Sequence, residues 1–276
     1  MLKNKYDKPT KKEIKERGYL CDNLNFVASE AYKLLRTNLM FSMPEQSSYV
    51  IGVTSSVRGE GKSTTSVNLA YTFAQSGKKV LLIDADMRLP SVAKKLGISC
   101  SPGLSNIIAG VNTGENKGKS CYRKSKYFDN WYILPAGDIP PNPSELLGSD
   151  RMKKLLETLK ERFDVIVVDL PPVNIVSDAL VISKITDGLA VVVRQGYTNK
   201  HALAECMYQV GRLDAKFLGF IMADADISET SYKHYKRYGG YDYKYYGSYS
   251  SSKNSVEDDT AQAFISAPAN DQEIQS

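Results

Sequence analysis

The feature that most constrains this chain is a series of short, uninterrupted apolar runs that alternate with helix-like segments. The clearest runs are YVIGVT (49–54), KVLLID (79–84), FDVIVVD (163–169), GLAVVV (188–193) and FLGFIMA (217–223). Because they lack the apolar/polar alternation of a half-exposed strand, these runs predict strands that are buried on both faces. The sequence therefore predicts an α/β fold, with a mostly parallel central sheet and helices on both faces.

Helical periodicity and capping signals predict five helices, and one weaker apolar run predicts a further strand at 131–134. The first helix is expected to begin at Ser29 as its N-cap, and the second to end before Gly77. The polar, basic segment 114–127 predicts a surface loop. The predicted helices cover residues 29–41, 62–75, 144–162, 177–185 and 200–213.

Composition divides the chain into three regions. Residues 1–25 are basic and lack apolar periodicity, so we expect a flexible lead-in. Residues 26–226 carry the apolar runs and form the predicted nucleotide-binding domain. Residues 227–276 are rich in Tyr, Ser and Gly and then acidic, which predicts a disordered tail.

Charge and cysteine content exclude several classes of protein. The net charge is +5, which is too small to indicate nucleic-acid binding. The 4 cysteines form no CxxC pair, which argues against a disulfide scaffold, a zinc knuckle or an iron–sulfur site. No apolar run reaches the length of about 18 residues that spans a membrane, and no secretory signal is recognisable. We therefore expect a cytoplasmic protein.

A glycine-rich loop, SSVRGEGKST (55–64), joins the first apolar run to a helix, which is the context that a P-loop requires. Its glycines allow backbone N–H groups to converge on phosphate oxygens. Its lysine supplies positive charge to the outer phosphates, and the next serine offers a hydroxyl to Mg²⁺. Ser56 stands where the usual pattern begins with glycine. The predicted nucleotide-binding residues are Ser56, Gly59, Glu60, Gly61, Lys62, Ser63 and Thr64.

Three carboxylates lie at the ends of two other apolar runs. Asp84 and Asp86 follow VLLI, and Asp169 ends VIVV. In a parallel sheet these side chains share the carboxyl edge, where ligands bind. Mg²⁺ prefers such hard oxygen ligands, and an attacking hydroxyl needs a base. Asp169 is the predicted Walker-B-type carboxylate, whereas the residues leave the division of roles between Asp84 and Asp86 open.

Taken together, SSVRGEGKST, LLIDADMR and VIVVDLPP resemble the Walker A, A′ and B motifs of bacterial protein tyrosine kinases. These are P-loop NTPases with a partition-ATPase-like architecture that act in capsule and exopolysaccharide export. EAYKLLRTN (30–38) is similar to the family's N-terminal ring-assembly motif, and GDIPPNPSELL (137–147) to a characteristic segment upstream of Walker B. The tyrosine-rich segment 232–249 is similar to the family's C-terminal tyrosine cluster.

The resemblance implies an ATP- and Mg²⁺-dependent tyrosine autokinase that regulates capsule or exopolysaccharide synthesis. By this resemblance, Lys62 holds the phosphates of ATP, while Ser63, Asp86 and Asp169 surround Mg²⁺. Asp84 would receive the tyrosine proton. The implied catalytic residues are Lys62, Asp84, Asp86 and Arg88, the last beside the site. The implied phosphoacceptors, on a neighbouring subunit, are Tyr232, Tyr235, Tyr238, Tyr241, Tyr243, Tyr245, Tyr246 and Tyr249.

The same resemblance implies several partners and no nucleic acid. Glu30, Lys33 and Arg36 would form a contact between subunits of a ring, with Lys33 where the family often has arginine. A transmembrane polysaccharide co-polymerase adaptor, as a separate chain, would activate the kinase and hold it at the membrane. A tyrosine phosphatase would reverse the modification.

The tyrosine-rich segment 232–249 carries four Lys and Arg residues and one Asp, which gives a charge of about +3. Each phosphorylation adds roughly −1.5 to −2 charges, so a few phosphates invert its sign. We hypothesise that the unmodified segment is attracted to an acidic active site and that phosphorylation releases it.

Two other functions stay open on the sequence. A partition-type switch ATPase would hydrolyse ATP without forming phosphotyrosine, and it usually carries a signature lysine where Val57 stands. Related ATPases often read adenine with an asparagine after the last core strand, where this chain has Met222-Ala223-Asp224. A nucleotide-binding regulator would bind ATP with negligible turnover. The complete P-loop and carboxylate set argues against that regulator.

Overall fold

The computed structural model describes residues 20–110, 121–212 and 216–225. Within them, seven strands form one sheet: β1 (Tyr49–Ser55), β2 (Val80–Asp84), β3 (Arg123–Lys124), β4 (Trp131–Leu134), β5 (Val165–Asp169), β6 (Gly188–Arg194) and β7 (Phe217–Ala223). The strand order is β3-β4-β2-β5-β1-β6-β7. Every pairing is parallel except the antiparallel pair of β3 with β4. The predicted, mostly parallel α/β fold is thus confirmed.

Eight α-helices in the same part of the chain cover the sheet. They are α1 (Phe26–Ser42), α2 (Lys62–Gln75), α3 (Val92–Leu96), α4 (Leu104–Ala109), α5 (Pro143–Leu147), α6 (Asp150–Lys160), α7 (Asp178–Ser183) and α8 (Lys200–Gly211). Buried side chains form two apolar clusters, one on each face of the sheet. Helices α1 to α3 contribute to one cluster, and helices α4 to α8 contribute to the other.

The central strands explain why their sequences show no alternation. Every residue of β1, β2 and β5 is buried. On β1, Val50 belongs to one cluster and its neighbour Ile51 to the other, so successive side chains enter opposite cores. Both faces of these strands therefore require apolar residues.

Two predicted helices differ substantially from the observed ones, the first in where it begins and the second in that it is divided. Helix α1 begins at Phe26, not after Ser29, because the Asn25 side chain accepts a hydrogen bond from the Ala28 N–H at 2.8 Å. The helix predicted over 144–162 is two helices. The chain leaves α5 at Gly148, and the Ser149 hydroxyl accepts from the Met152 N–H to start α6.

The prediction of a flexible lead-in over residues 1–25 is wrong for the last residues of that range. Leu20 and Cys21 are buried, and Cys21–Asn23 forms a short 3₁₀ helix. The Cys21 N–H donates to the Asn68 side chain of α2 at 2.8 Å, which fixes this segment on the domain. Residues 1–19 lie outside the described part of the chain.

The predicted loop over 114–127 contains strand β3, which the sequence analysis missed. Strand β3 consists of only two residues, both basic, at the sheet edge, so it carries no apolar signal. The predicted tail 227–276, with all eight candidate phosphoacceptor tyrosines, lies outside the described residues. None of the helices in the described ranges has the length and apolar character needed to cross a membrane.

Candidate active site

The carboxyl ends of three adjacent strands meet at one edge of the sheet. Asp84 of β2 lies in register with Asp169 of β5, which is also in register with Val53 of β1. The P-loop continues from β1, so its backbone lies beside Asp169 of the neighbouring strand, and Asp84 lies one strand further along. The residues that the sequence predicted on three separate segments are thereby brought together.

The P-loop enters α2 through two residues with left-handed backbone conformations. Gly59 has a φ of 85° and Gly61 a φ of 94°, which side chains rarely tolerate. Gly61 is the N-cap of α2, and no side chain caps the helix there. The first-turn N–H groups of α2 therefore point towards the edge of the sheet, where they can donate to a phosphate.

Lys62 lies between the carboxylates of two other strand ends. Its Nζ is 2.9 Å from Asp86 Oδ2 and 3.7 Å from Asp169 Oδ2, and it also contacts the Ser63 hydroxyl at 3.2 Å. Burial alone would lower the pKa of Lys62, but the charges of Asp169 and Asp86 outweigh burial and raise that pKa. The lysine therefore keeps its charge at the centre of the site.

Asp169 has one oxygen that fits a bound cation. Its Oδ1 accepts a hydrogen bond from the Ser66 hydroxyl at 3.0 Å, whereas its buried Oδ2 has no hydrogen-bond partner. Burial raises the pKa of Asp169, and the charge of Lys62 opposes that shift. Within the described residues, no group of three or more His, Cys, Asp or Glu side chains forms a metal site by itself. Mg²⁺ would therefore depend on oxygens from a nucleotide as well.

Asp84 is fully buried and accepts three backbone hydrogen bonds. Its Oδ1 accepts from the Asp86 N–H at 3.2 Å, and its Oδ2 from the N–H groups of Ser91 and Val92 at 3.1 and 3.0 Å. Burial, and then the neighbouring charge of Asp169, raise the pKa of Asp84 to about 8. Besides any role in proton transfer, Asp84 therefore holds the start of α3.

Glu60 organises the P-loop from inside and binds a residue that the sequence analysis missed. Its Oε1 accepts from the Ser56 hydroxyl at 2.7 Å and from the Thr198 hydroxyl at 2.5 Å. Its Oε2 accepts from the Val57 N–H at 2.9 Å. The glutamate is completely buried. Ser56 thus contributes a hydroxyl that the usual glycine could not supply.

The loop between β6 and α8 forms the outer wall of the P-loop. Arg194 Nη1 donates to the Gly59 carbonyl at 3.1 Å, and the Tyr197 hydroxyl donates to the Arg58 carbonyl at 3.0 Å. Arg194 also pairs with Asp224 at 2.6 Å. The sequence contained one signal for this wall. The loop follows an apolar run, and the carboxyl end of that run is expected at the same sheet edge as the P-loop.

Arg88 lies on the other side of the site, where it joins three segments. Its Nε and Nη2 donate to the two carboxylate oxygens of Asp178, at 3.0 and 3.2 Å, and Nη2 also donates to the Ser144 hydroxyl at 3.1 Å. Asp178 is fully buried at the start of α7. Arg88 therefore connects the loop after β2 to α5 and α7.

The predicted subunit-contact residues lie on α1, away from these carboxylates. Lys33 pairs with Glu30 at 2.6 Å, and both side chains are partly exposed. Arg36 donates to the Thr72 carbonyl near the end of α2 at 2.8 Å, so it also has a contact within the subunit.

A P-loop at the end of a parallel strand, a buried lysine and carboxylates on neighbouring strand ends define a P-loop nucleotide-binding protein. The model of the AAA domain family matches residues 48–217. The Pyrococcus horikoshii septum site-determining protein MinD, solved with Mg-ADP, shares the fold with a TM-score of 0.51 and 23% identity over 66% of this chain and 72% of that one.

Closer relatives define the family. The tyrosine-protein kinase YwqD of Bacillus subtilis is 36% identical over 219 residues, which are 79% of this chain and 86% of the relative. The kinase domain of the Escherichia coli tyrosine kinase ETK is 32% identical with a TM-score of 0.67, and the match covers 75% of this chain and 81% of that one. The chain belongs to the bacterial tyrosine-protein kinases, as the sequence motifs predicted.

Proposed function

We propose that this chain is an ATP- and Mg²⁺-dependent kinase that phosphorylates the tyrosine cluster 232–249 of a neighbouring copy. The observation that carries this proposal is the position of Lys62 between Asp86 and Asp169, beside the free N-terminus of α2. This arrangement places hydrogen-bond donors of positive charge and the hard oxygen ligands that Mg²⁺ prefers at one point, as phosphoryl transfer requires.

The nucleotide and metal roles rest on the chemistry of the side chains. Lys62 and the N–H groups of residues 59–64 would hold the phosphates, and Ser56, Glu60 and Thr64 would maintain or line the loop. Ser63, Asp86 and Oδ2 of Asp169, which has no hydrogen-bond partner, would hold Mg²⁺, directly or through water. Bound Mg²⁺ would neutralise negative charge on the phosphates. The related fold of MinD was solved with Mg-ADP, which supports this assignment.

The transfer itself requires a balanced exchange at the tyrosine. A bond forms between the tyrosine oxygen and the γ-phosphorus, the bond to the leaving oxygen of ADP breaks, and the tyrosine proton is accepted by a base. We assign that base to Asp84, whose raised pKa of about 8 leaves only a minor ionised fraction at neutral pH but makes that ionised form a stronger base than an ordinary aspartate. Arg88 would act as a positioning residue through Asp178 and Ser144.

The cellular setting follows from the family motifs. The chain would regulate capsule or exopolysaccharide synthesis from the cytoplasm, held at the membrane by a transmembrane polysaccharide co-polymerase adaptor that activates it. Copies would associate through Glu30, Lys33 and Arg36 into a ring, for which the partly exposed Lys33–Glu30 pair offers charges on α1. A tyrosine phosphatase would reset the cluster.

The first experiment is incubation of the purified chain with ATP and Mg²⁺, with phosphotyrosine mapped by mass spectrometry. The matched variant is Lys62→Met, and membrane extract with a candidate adaptor is added in parallel. Phosphate within 232–249 that disappears in the variant is the expected result. ATP hydrolysis without phosphotyrosine, even with the adaptor, would contradict the kinase proposal and favour a switch ATPase.

A further inference from the structure

Tyr197 is one of two tyrosines that are exposed within the described ranges of the chain. Its exposed fraction is 53%, and that of Tyr208 is 66%. Tyr208 lies within α8, whereas Tyr197 lies in the turn between β6 and α8. A side chain on a turn enters another enzyme's active site more easily than one on a regular helix. The buried or half-buried tyrosines of the same ranges are Tyr32, Tyr49, Tyr71, Tyr122, Tyr127 and Tyr132.

The Tyr197 hydroxyl forms part of the contact between this turn and the P-loop. It donates to the Arg58 carbonyl at 3.0 Å. A Cβ atom added to Gly59 would lie only 3.0 Å from the hydroxyl oxygen, so the hydroxyl packs directly against the P-loop backbone. No space is left between the two for a larger group. A group added to the oxygen of Tyr197 would therefore separate the tyrosine from the P-loop.

Arg194 offers a cation to a negative group at this position. Its guanidinium carbon lies 5.4 Å from the centre of the Tyr197 ring. Its Nη1 donates to the Gly59 carbonyl, which is the next carbonyl along the chain from the one that Tyr197 binds. Arg194 also pairs with Asp224, whose side chain is 64% exposed. Because arginine binds phosphate through charge-assisted hydrogen bonds, a phosphate on Tyr197 would compete with Gly59 and Asp224 for this guanidinium.

We propose that Tyr197 is a phosphorylation site and that its modification releases the P-loop and weakens the binding of ATP. The proposal rests on the kinase function proposed above, which supplies the phosphoryl group, and it adds an acceptor within the domain. The Tyr197 oxygen of one copy forms a bond with the γ-phosphorus of ATP held by a second copy. The bond from that phosphorus to the leaving oxygen of ADP breaks, and the hydroxyl proton passes to a base.

Modification of Tyr197 would act on the nucleotide site in two ways. The phosphorylated oxygen has no proton to donate to the Arg58 carbonyl, so the contact at 3.0 Å is lost. The phosphate also adds roughly −1.5 to −2 charges beside the loop that is expected to hold the negative phosphates of ATP. Both effects weaken ATP binding, so phosphorylation at this position would limit the activity of the modified copy.

Mass spectrometry tests whether Tyr197 is an acceptor. A full-length wild-type chain with a heavy isotope label is incubated with ATP, Mg²⁺ and an unlabelled Lys62→Met chain. Phosphate is expected on Tyr197 of the unlabelled chain, as well as within 232–249. Phosphate confined to 232–249 would overturn the proposal and leave the kinase function intact. Equal phosphorylation of Tyr208 would also overturn it, because exposure alone would then select the acceptor. No phosphotyrosine at any position would contradict the kinase function and this modification together.

Titration calorimetry tests the effect on ATP binding without requiring any phosphoryl transfer. Phosphonomethylphenylalanine, a non-hydrolysable analogue of phosphotyrosine, replaces Tyr197 in the full-length chain. We expect the affinity for a non-hydrolysable ATP analogue with Mg²⁺ to fall about tenfold, and that of Tyr197→Phe to fall about two- to threefold. The same residue in place of Tyr208 is the matched control and should leave the affinity unchanged. Wild-type affinity with the phosphonate at position 197 would overturn the proposal.

Ionic strength separates the charge of the phosphate from its shape. The phosphonate at position 197 and Tyr197→Phe are compared at about 0.05 M and about 0.3 M salt. The difference in ATP affinity between the two proteins should shrink at the higher salt, because salt screens charges at an exposed site. A role of Tyr197 in packing alone predicts a difference that does not depend on salt, and that result would overturn the proposed repulsion.

Discussion

At the scale of single residues, the P-loop is shaped by side chains that point away from the phosphate site. Buried Glu60 gathers hydrogen bonds from Ser56, Val57 and Thr198. The sequence predicted Ser56 and Glu60 because they stand inside the motif. Thr198 could not be predicted, because it lies 138 positions from Glu60 and only the fold brings the two together.

The first prediction concerns Thr198. Thr198→Val keeps the shape of the side chain but removes the hydroxyl that donates to Glu60 and accepts from the Arg194 N–H. We expect ATP affinity to fall about five- to tenfold, which corresponds to a loss of about 1 kcal/mol in binding free energy. Isothermal titration with a non-hydrolysable ATP analogue measures it. Thr198→Ser should retain the affinity, and equal losses in both variants would contradict the hydroxyl's role.

The second prediction concerns the pH dependence of Asp84. Between the ordinary carboxyl pKa of about 4 and the raised pKa of about 8, Asp84 is protonated in the folded chain and ionised in the unfolded chain. The folded chain then binds the extra proton, so its free energy of unfolding should fall as the pH rises through this window.

Urea unfolding of the nucleotide-free protein at several pH values within that window tests the assignment. Asp84→Asn is the matched variant, because asparagine has a similar shape and does not titrate. The variant should be less stable at low pH, because it offers one acceptor oxygen to three backbone N–H groups, and its stability should vary less with pH. Identical slopes for the two proteins would rule out Asp84 as the titrating group.

At the scale of elements, the sequence predicted helix boundaries correctly where the residues of the segment itself determine them. Helix α2 was predicted over its full length, because a glycine-rich loop precedes it and Gly77 follows it. The predicted single helix over 144–162 failed at Gly148, since amphipathic spacing continues across a break that the Ser149 cap creates. Short α3 and α4 were missed because neither spans enough turns to show periodicity.

Long-range contacts define the elements around the site. Helix α3 is held by Asp84, and α7 begins at Asp178, which binds Arg88 of a distant loop. The sequence placed Asp84, Asp86 and Asp169 at one sheet edge correctly, because parallel strands share their carboxyl ends. It placed Arg88 beside the site but offered no partner for it, since Asp178 lies 90 positions away.

The third prediction concerns that ion pair. Arg88→Met leaves fully buried Asp178 without its cation, although the Ser144 hydroxyl still donates to it. Because the arginine side chain is partly exposed, we expect a loss of about 1–3 kcal/mol in the free energy of unfolding, below the range for fully buried pairs. Chemical denaturation measures the change.

The double variant Arg88→Met, Asp178→Leu is the control for this prediction. It removes the stranded charge as well as its partner and should recover part of the lost stability. If the double variant loses as much free energy of unfolding as its two single variants lose together, the two residues do not stabilise each other.

At the scale of the whole molecule, the sheet brings together a lysine and carboxylates whose full set of interactions requires a bound ligand. In the described residues, Lys62 serves as the counter-ion of Asp86 and Asp169. A bound nucleotide with Mg²⁺ would replace those contacts, with the lysine on phosphate and the metal on the carboxylates. Ligand and fold are therefore expected to be thermodynamically linked.

The fourth prediction tests that linkage with thermal unfolding. Mg-ADP at about 100 times its Kd should stabilise the wild-type chain by about 2.7 kcal/mol and raise its Tm, because it binds only the folded state. Lys62→Met should lower the Tm without nucleotide, because its carboxylates lose their counter-ion, and should respond less to Mg-ADP. An equal rise in Tm for both proteins would contradict the role of Lys62.

The strand order also affects how the protein is made on the ribosome. Strand β1 pairs with β5 and β6. Tyr49 therefore has no pairing partner until Val165 has been synthesised, and Ile51 has none on the other side until Gly188 has been synthesised. At roughly 5–20 residues per second, synthesis of the 116 residues that follow Tyr49, up to and including Val165, takes about 6–23 s. During that interval the nascent P-loop has no sheet to support it. Cellular ATP therefore cannot assist the early steps of folding, and the apolar β1 segment is a natural target for chaperones.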